Sequence, residues 1–229
     1  YNQVTNDLIE HLFNDHKNII PTLRKVKFFD FMIKVDNRII PFDLKVTHIS
    51  DDYYDLNEKG LMKIEDSKDD FAIGNNLSES EKIKKYYKKL KKEKELQNYG
   101  NLSKEEIIEI LINKGLKGTP EMNSFFNDRK KAVEKIENNL RSLEWWNYKY
   151  QGERLFKNNN RFFIFLAYKK SFSDARPLKG NLKLIKEKVT KKLDNISKGD
   201  INEINYYYTK DKGLEGNYKV NSMSILVSD

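Results

Sequence analysis

Residues 26–49, VKFFDFMIKVDNRIIPFDLKVTHI, decide how the rest of the chain is read. Two apolar runs flank the polar turn Asp36-Asn37-Arg38, which predicts a β-hairpin with strands over 26–35 and 39–49. Side chains two apart on a strand share a face. Asp43 and Lys45 therefore fall together, while Phe42, Leu44 and Val46 turn the other way, toward a core. Asp30 lies in the first run, from which the sheet register can bring it beside Asp43. The continuous apolar character of 39–46 predicts a strand buried on both faces and central in its sheet.

Outward from the hairpin, residues 5–17 read as a helix. Thr5 or Asn6 can cap it, Asp7 suits its positive end, and Val4, Leu8, Ile9, Leu12 and Phe13 supply an apolar stripe. Pro21 closes the turn that follows. Residues 50–76 are acidic, contain Gly and lose periodicity, which predicts a long loop with short helical pieces. Helices are predicted over 78–97, from Ser103 to Gly115, and over 121–145 behind Pro120. RFFIFLAY (161–168) suits a buried strand, 177–195 carries apolar residues at helical spacing, and 217–227 alternates as a last strand. The expected fold is α/β, with a mixed central sheet flanked by helices. Residues 1–50 and 146–229 would form the core, and 51–145 a mainly helical insertion.

The chain of 229 residues has 43 Lys and Arg against 35 Asp and Glu, a net charge of +8. A polyanion is the expected partner, nucleic acid ahead of an acidic membrane surface, although an AT-rich genome also enriches lysine and asparagine. With no cysteine, disulfides and thiolate metal sites are excluded. No run of about 18 apolar residues offers a membrane span. The stretch YNQVTNDLIEHLF lacks the basic and apolar regions of a secretory signal, so a cytoplasmic location is expected.

Two carboxylates and an ammonium at one end of a hairpin suit a divalent metal and a phosphate. Mg²⁺ takes oxygen ligands and keeps several waters, so Asp30 and Asp43 suffice as its carboxylates, and the Leu44 carbonyl can add a further oxygen. Lys45, further along the same face, can position or deprotonate the attacking water and stabilise developing charge.

An acid, a hairpin and then Asp43-Leu44-Lys45 in an apolar strand resembles the PD-(D/E)XK nuclease superfamily, to which many type II restriction endonucleases belong. The resemblance covers residues 5–49 and extends toward 161–195. Phe29 stands where the family's Pro precedes the first acid. By resemblance, Asp30 is the first acid, Asp43 and Lys45 the (D/E)XK element, and Glu10 on the preceding helix an additional acid. It implies a restriction endonuclease-like core and Mg²⁺-dependent hydrolysis of double-stranded DNA. Such enzymes often cut as homodimers.

Lys82, Lys84, Lys85, Lys88, Lys89, Lys91 and Lys92 line one basic helix and are candidate phosphate contacts, as are Gln151 and Arg154 in QGERLF. A solvated helix face and a solvated loop are the competing readings of these segments. The insertion is a candidate DNA-recognition subdomain, though the acids of SKEEIIEILINKGL make a poor recognition helix. His11 and His16 are five apart, not the four that places two metal ligands on one helix face, and GLKGTP lacks a phosphate-loop ending. Two other functions compete with the restriction enzyme: a catalytically silent DNA-binding or assembly module, and a repair or structure-specific nuclease.

Overall fold

The computed structural model describes residues 2–22, 29–59, 77–94, 96, 98, 100–150, 160–208 and 213–229. In chain order the elements are α1 (Asn2–Asn14), β1 (Ile19–Pro21), β2 (Phe31–Val35), β3 (Arg38–His48), α2 (Asp51–Glu58) and α3 (Glu79–Leu90). Then come α4 (Lys104–Leu111), α5 (Pro120–Glu137), α6 (Leu140–Tyr150), β4 (Arg161–Ala167), α7 (Leu182–Asp194), β5 (Asn202–Tyr208) and β6 (Gly216–Ser228). The strands make one six-stranded mixed sheet in the order β1-β2-β3-β4-β6-β5. β1, β2 and β3 pair antiparallel, β3–β4 and β4–β6 parallel, and β5–β6 antiparallel.

The hairpin forms as its sequence predicts. Val35 pairs with Arg38 across a turn in which Asp36 takes the left-handed conformation at φ 50°. A short polar side chain tolerates that conformation, and a positive φ in so tight a turn matches the strands' right-handed twist. The strand buried on both faces is β4 rather than β3: all seven residues of RFFIFLA are buried. Along β3 Phe42 is buried, whereas Asp43 to Thr47 are half-buried. These residues alternate between the two faces of β3, so the strand is partly open on both.

One face of the sheet carries α1 and α7. Ile9, Phe13, Ile185, Val189 and Leu193 pack on Phe31, Ile33, Phe42, Phe162, Ile164 and Leu166. Phe13 stacks on Phe31 with ring centroids 4.4 Å apart and meets Phe162 edge-on at 5.1 Å. On the other face α2, the end of α5 and α6 bring Tyr53, Tyr54, Val133, Ile136 and Tyr148 onto Phe163, Phe165, Ile204 and Tyr206. The single helix expected over 121–145 is two helices, broken at Asn138-Asn139, where the Asn139 N–H closes a tighter turn on the Ile136 carbonyl. The three-residue β1 and the seven-residue β5 extend the sheet beyond the predicted order.

Within 51–145, α3, α4 and the start of α5 enclose their own small core of Ile83, Tyr87, Ile107, Ile108, Leu111 and Met122, which reaches Phe172 beyond β4. Ser78 with Glu81 and Ser103 with Glu106 cap α3 and α4 reciprocally. These helices are tied to α2 by buried charges. Glu79 accepts from Arg129 Nε at 3.0 Å and Nη2 at 2.7 Å, and from Lys104 Nζ at 2.8 Å. Lys104 reaches Asp51 at 3.0 Å, and the Arg129 guanidinium lies 3.8 Å from the centre of the Tyr54 ring. Among the described residues, no helix is long and apolar enough to cross a membrane.

Truncating one partner of a buried ion pair strands the other. Glu79→Gln leaves two buried cations short of their shared carboxylate and is expected to cost about 3–5 kcal/mol. Urea unfolding reads this as a midpoint lowered by roughly 1–2 M.

Candidate active site

Asp30 stands one residue before β2, and its N–H donates to the Phe42 carbonyl at 2.9 Å. Phe31 is also opposite Phe42, so the ladder ends there in an irregular step that leaves Asp30 against the Phe42–Leu44 stretch of β3. Alternate residues of a strand turn their peptide groups to opposite edges. The Asp43 N–H donates toward β4, to the Asn160 carbonyl at 2.9 Å, so Phe42 and Leu44 present theirs toward β2. The Leu44 N–H accordingly donates to Asp30 Oδ2 at 2.7 Å, and the Leu44 carbonyl belongs to the same edge. Thr22 holds the Asp30 backbone by donating to its carbonyl at 2.7 Å.

The two carboxyl groups lie within hydrogen-bonding reach. Burial pushes the Asp30 carboxyl above its ordinary range, opposed by hydrogen bonds from Leu44 and with Asp43. Lys45 follows two residues on along the same face, half-buried and in register with Phe163 of β4. Asp30, Asp43, Leu44 and Lys45 are thus drawn together at the N-terminal end of β4. Two facing carboxylates, with a peptide carbonyl on the same edge, fit a hard divalent cation that retains several waters.

Glu10 is half-buried on α1, whose apolar residues Ile9 and Phe13 pack on the opposite face of the sheet. Among the described residues, no group of three or more His, Cys, Asp or Glu is gathered in a way that could hold a metal ion. Glu10 is therefore not assembled with Asp30 and Asp43 into a three-carboxylate set.

The helix ends at Leu90 rather than near 97, so Lys91 and Lys92 follow it; of these lysines, Lys85, Lys88, Lys89 and Lys92 are exposed and Lys84 is half-buried. Lys82 is paired with Glu58, and Lys91 is bonded to Asn98. α3 shares its core with Phe172, past the C-terminal end of β4, whereas Asp43 pairs with Arg161 at the other end. The basic helix and the carboxylates therefore lie toward opposite ends of β4, a strand roughly 20 Å long at about 3.3 Å per residue. A cleft of about 690 Å³ opens at the α3 end, lined among others by His48, Asp51, Arg129, Asp174 and Arg176. Gln151 and Arg154 lie outside the described residues.

Polar residues that sequence reading passed over continue the row inward from Asp43. Register places Arg161, Ser222 and Asn202 in line with it on β4, β6 and β5. Arg161 Nε stands 3.6 Å from Asp43 Oδ2. Glu144, fully buried on α6, closes the row by accepting hydrogen bonds from Asn202 at 2.9 Å and from Ser224. Burial pushes its carboxyl up, against those hydrogen bonds.

No family model, curated protein or solved structure matches the chain. The reading of the site rests on its residues.

A carboxyl whose pKa is raised on folding holds its proton more tightly in the native state than in the unfolded chain. Its cost is absent below the ordinary carboxylate range and grows as pH rises through it. Asp30→Asn is therefore expected to melt a few degrees above the native sequence at pH 7 in EDTA, with the gap closing near pH 4. Added Mg²⁺ should raise the melting temperature of the native chain more than that of the variant. Thermal melts at both pH values, with and without the metal, check this.

Proposed function

We propose that the chain is a Mg²⁺-dependent endonuclease that hydrolyses phosphodiester bonds of double-stranded DNA, of the sequence-specific restriction type and with a PD-(D/E)XK-like site. The observation that carries this reading is the adjacent pair Asp30 and Asp43, with Asp30 accepting from the Leu44 N–H and Lys45 next after Asp43 on the same face. Further support comes from the order of elements: a helix, antiparallel strands, then a helical crossover to a strand parallel to β3. That order is the one expected of a restriction endonuclease-like core. The net charge of +8 suits a polyanionic substrate.

Asp30, Asp43 and the Leu44 carbonyl would hold the cation, which when bound supplies charge neutralisation at the phosphate and a more acidic water. The carboxylate pair is held close at the expense of mutual repulsion and desolvation, so it is poised to take up positive charge. Lys45 presents an ammonium two residues along, where it can hold the attacking water by hydrogen bonding and stabilise charge building on the phosphate oxygens. The strands fix all of these groups, so little reorganisation is needed when the substrate arrives.

Lys45→Ala is expected to slow cleavage of duplex DNA about 10²–10³-fold while leaving binding in Ca²⁺ intact. Incubating mixed genomic DNA with each protein, in Mg²⁺ and in EDTA, checks this. Discrete bands that vanish in EDTA mark a sequence-specific enzyme, and a smear marks one without preference. Binding without cleavage in Mg²⁺ or Mn²⁺ means a silent DNA-binding module. Cleavage that survives Lys45→Ala removes the lysine from the mechanism.

Exposed lysines act through phosphates. Changing Lys85, Lys88, Lys89 and Lys92 together to Gln is expected to weaken binding equally on all sequences. It should also flatten the dependence of log affinity on log salt by up to about one unit per lysine. Fluorescence anisotropy across a salt series measures the slope, and an unchanged slope would place the duplex elsewhere on the surface.

A further inference from the structure

Asp43 is held from behind by the first residues of β4. Its N–H donates to the Asn160 carbonyl, and Asn160 spends its side chain on the two neighbouring strands. Asn160 Nδ2 donates to the Pro41 carbonyl at 3.0 Å, and Asn160 Oδ1 accepts from the Asn221 N–H at 2.8 Å. One residue on, Arg161 faces Asp43 in register, with its Nε 3.6 Å from Oδ2. The Arg161 side chain is 5% exposed, whereas that of Asp43 is 35% exposed. The Tyr148 ring centre lies 5.4 Å from the guanidinium, and Tyr148 is itself stacked on Tyr206 at 5.3 Å. The cation thus sits in a walled pocket, and the carboxylate it faces is open to an arriving ligand.

We propose that Arg161 is a positioning residue for the proposed cleavage reaction, fixing the Asp43 carboxylate from inside the sheet so that its outer side is presented toward Asp30 and the scissile phosphate. The proposal rests on the nuclease reading. A buried guanidinium is costly without a carboxylate nearby, and the rigid, planar group that turns its Nε to Asp43 as an ion pair at 3.6 Å holds a direction that a lysine ammonium on a flexible stem would not reproduce. Direct contact with DNA is excluded by the same burial. The effect must therefore pass through Asp43, and it falls on the chemical step: displacing a reacting group by about 1 Å can cost roughly 10²-fold in rate.

The experiment is single-turnover cleavage of a duplex by the full chain at saturating Mg²⁺, for the native sequence, Arg161→Gln and Arg161→Lys. Rates are scaled to the folded fraction from circular dichroism, and DNA affinity is measured in Ca²⁺. Arg161→Gln is expected to cleave about 10²-fold more slowly and Arg161→Lys about 10-fold more slowly. Both should bind DNA within about twofold of the native chain. If the Gln variant does not fold, the Lys variant, which keeps the buried charge, decides. A native rate per folded molecule in whichever variant folds overturns the role, because a merely structural ion pair would leave turnover untouched. Loss of DNA affinity in step with rate also overturns it, in favour of a substrate contact. A native chain that cleaves no duplex in Mg²⁺ or Mn²⁺ overturns the nuclease reading itself, and Arg161's role with it.

Discussion

A strand with every side chain buried has to be covered on both faces, and β4 imposes that demand on its surroundings. Its even-numbered residues Phe162, Ile164 and Leu166 call for α1 and α7, and Phe163 and Phe165 call for α2, α5 and α6. Parallel neighbours on either side need crossovers, which the helices supply. β3 gains a different property from the same arrangement. It borders β4, yet Asp43 to Thr47, which alternate between its two faces, are all half-buried. A sheet that is dry in the middle and open at one side has a boundary, and Asp43 and Lys45 stand on it.

That boundary sets the electrostatics. In water two carboxylates repel weakly, and in a dry core they would not both ionise. At the half-buried edge, burial raises Asp30, while the hydrogen bonds from the Leu44 N–H and with Asp43 oppose that rise. The buried network around Glu79 is a contrast, because its carboxylate is satisfied internally by Arg129 and Lys104 and holds α3 and α5 together. One set of charges is closed and structural, and the other faces outward.

Much of the hairpin was legible because its determinants are local. A two-residue turn pairs Val35 with Arg38, and four steps further back the same register sets Phe31 against Phe42, next to which Asp30 and Asp43 come together. Alternation along 42–46 assigned the faces correctly. The buried strand at 161–168 was legible in its apolar run, whereas β3, expected to be buried on both faces, is half-buried, since apolar character alone does not reveal how far the helices cover a strand. β1 was missed because three residues ending in Pro carry almost no pattern, and β5 because Ile204, Tyr206 and Tyr208 point inward from an otherwise polar run. The break at Asn138-Asn139 is chosen by packing, which carries the Trp145-Trp146 segment onto the sheet. Arg161 had no local signal at all. Its meaning depends on parallel pairing with a strand more than a hundred residues earlier in the chain. Glu10 shows the opposite case, a position favoured by resemblance that the fold leaves outside the carboxylate pair.

Asn160 gives the molecule an order of events in time. It joins Pro41, Asp43 and Asn221, so three strands from distant parts of the sequence must meet before the Asp43 segment is pinned. Pairings over such separations pay their loop-closure entropy before any contact repays it. On the ribosome, the acids and the lysine are made well over a hundred residues before residue 221. A nascent chain would carry the chemical groups of the site without their geometry. Strand order thereby acts as a timer, delaying the assembled site until nearly all of this sequence has been synthesised.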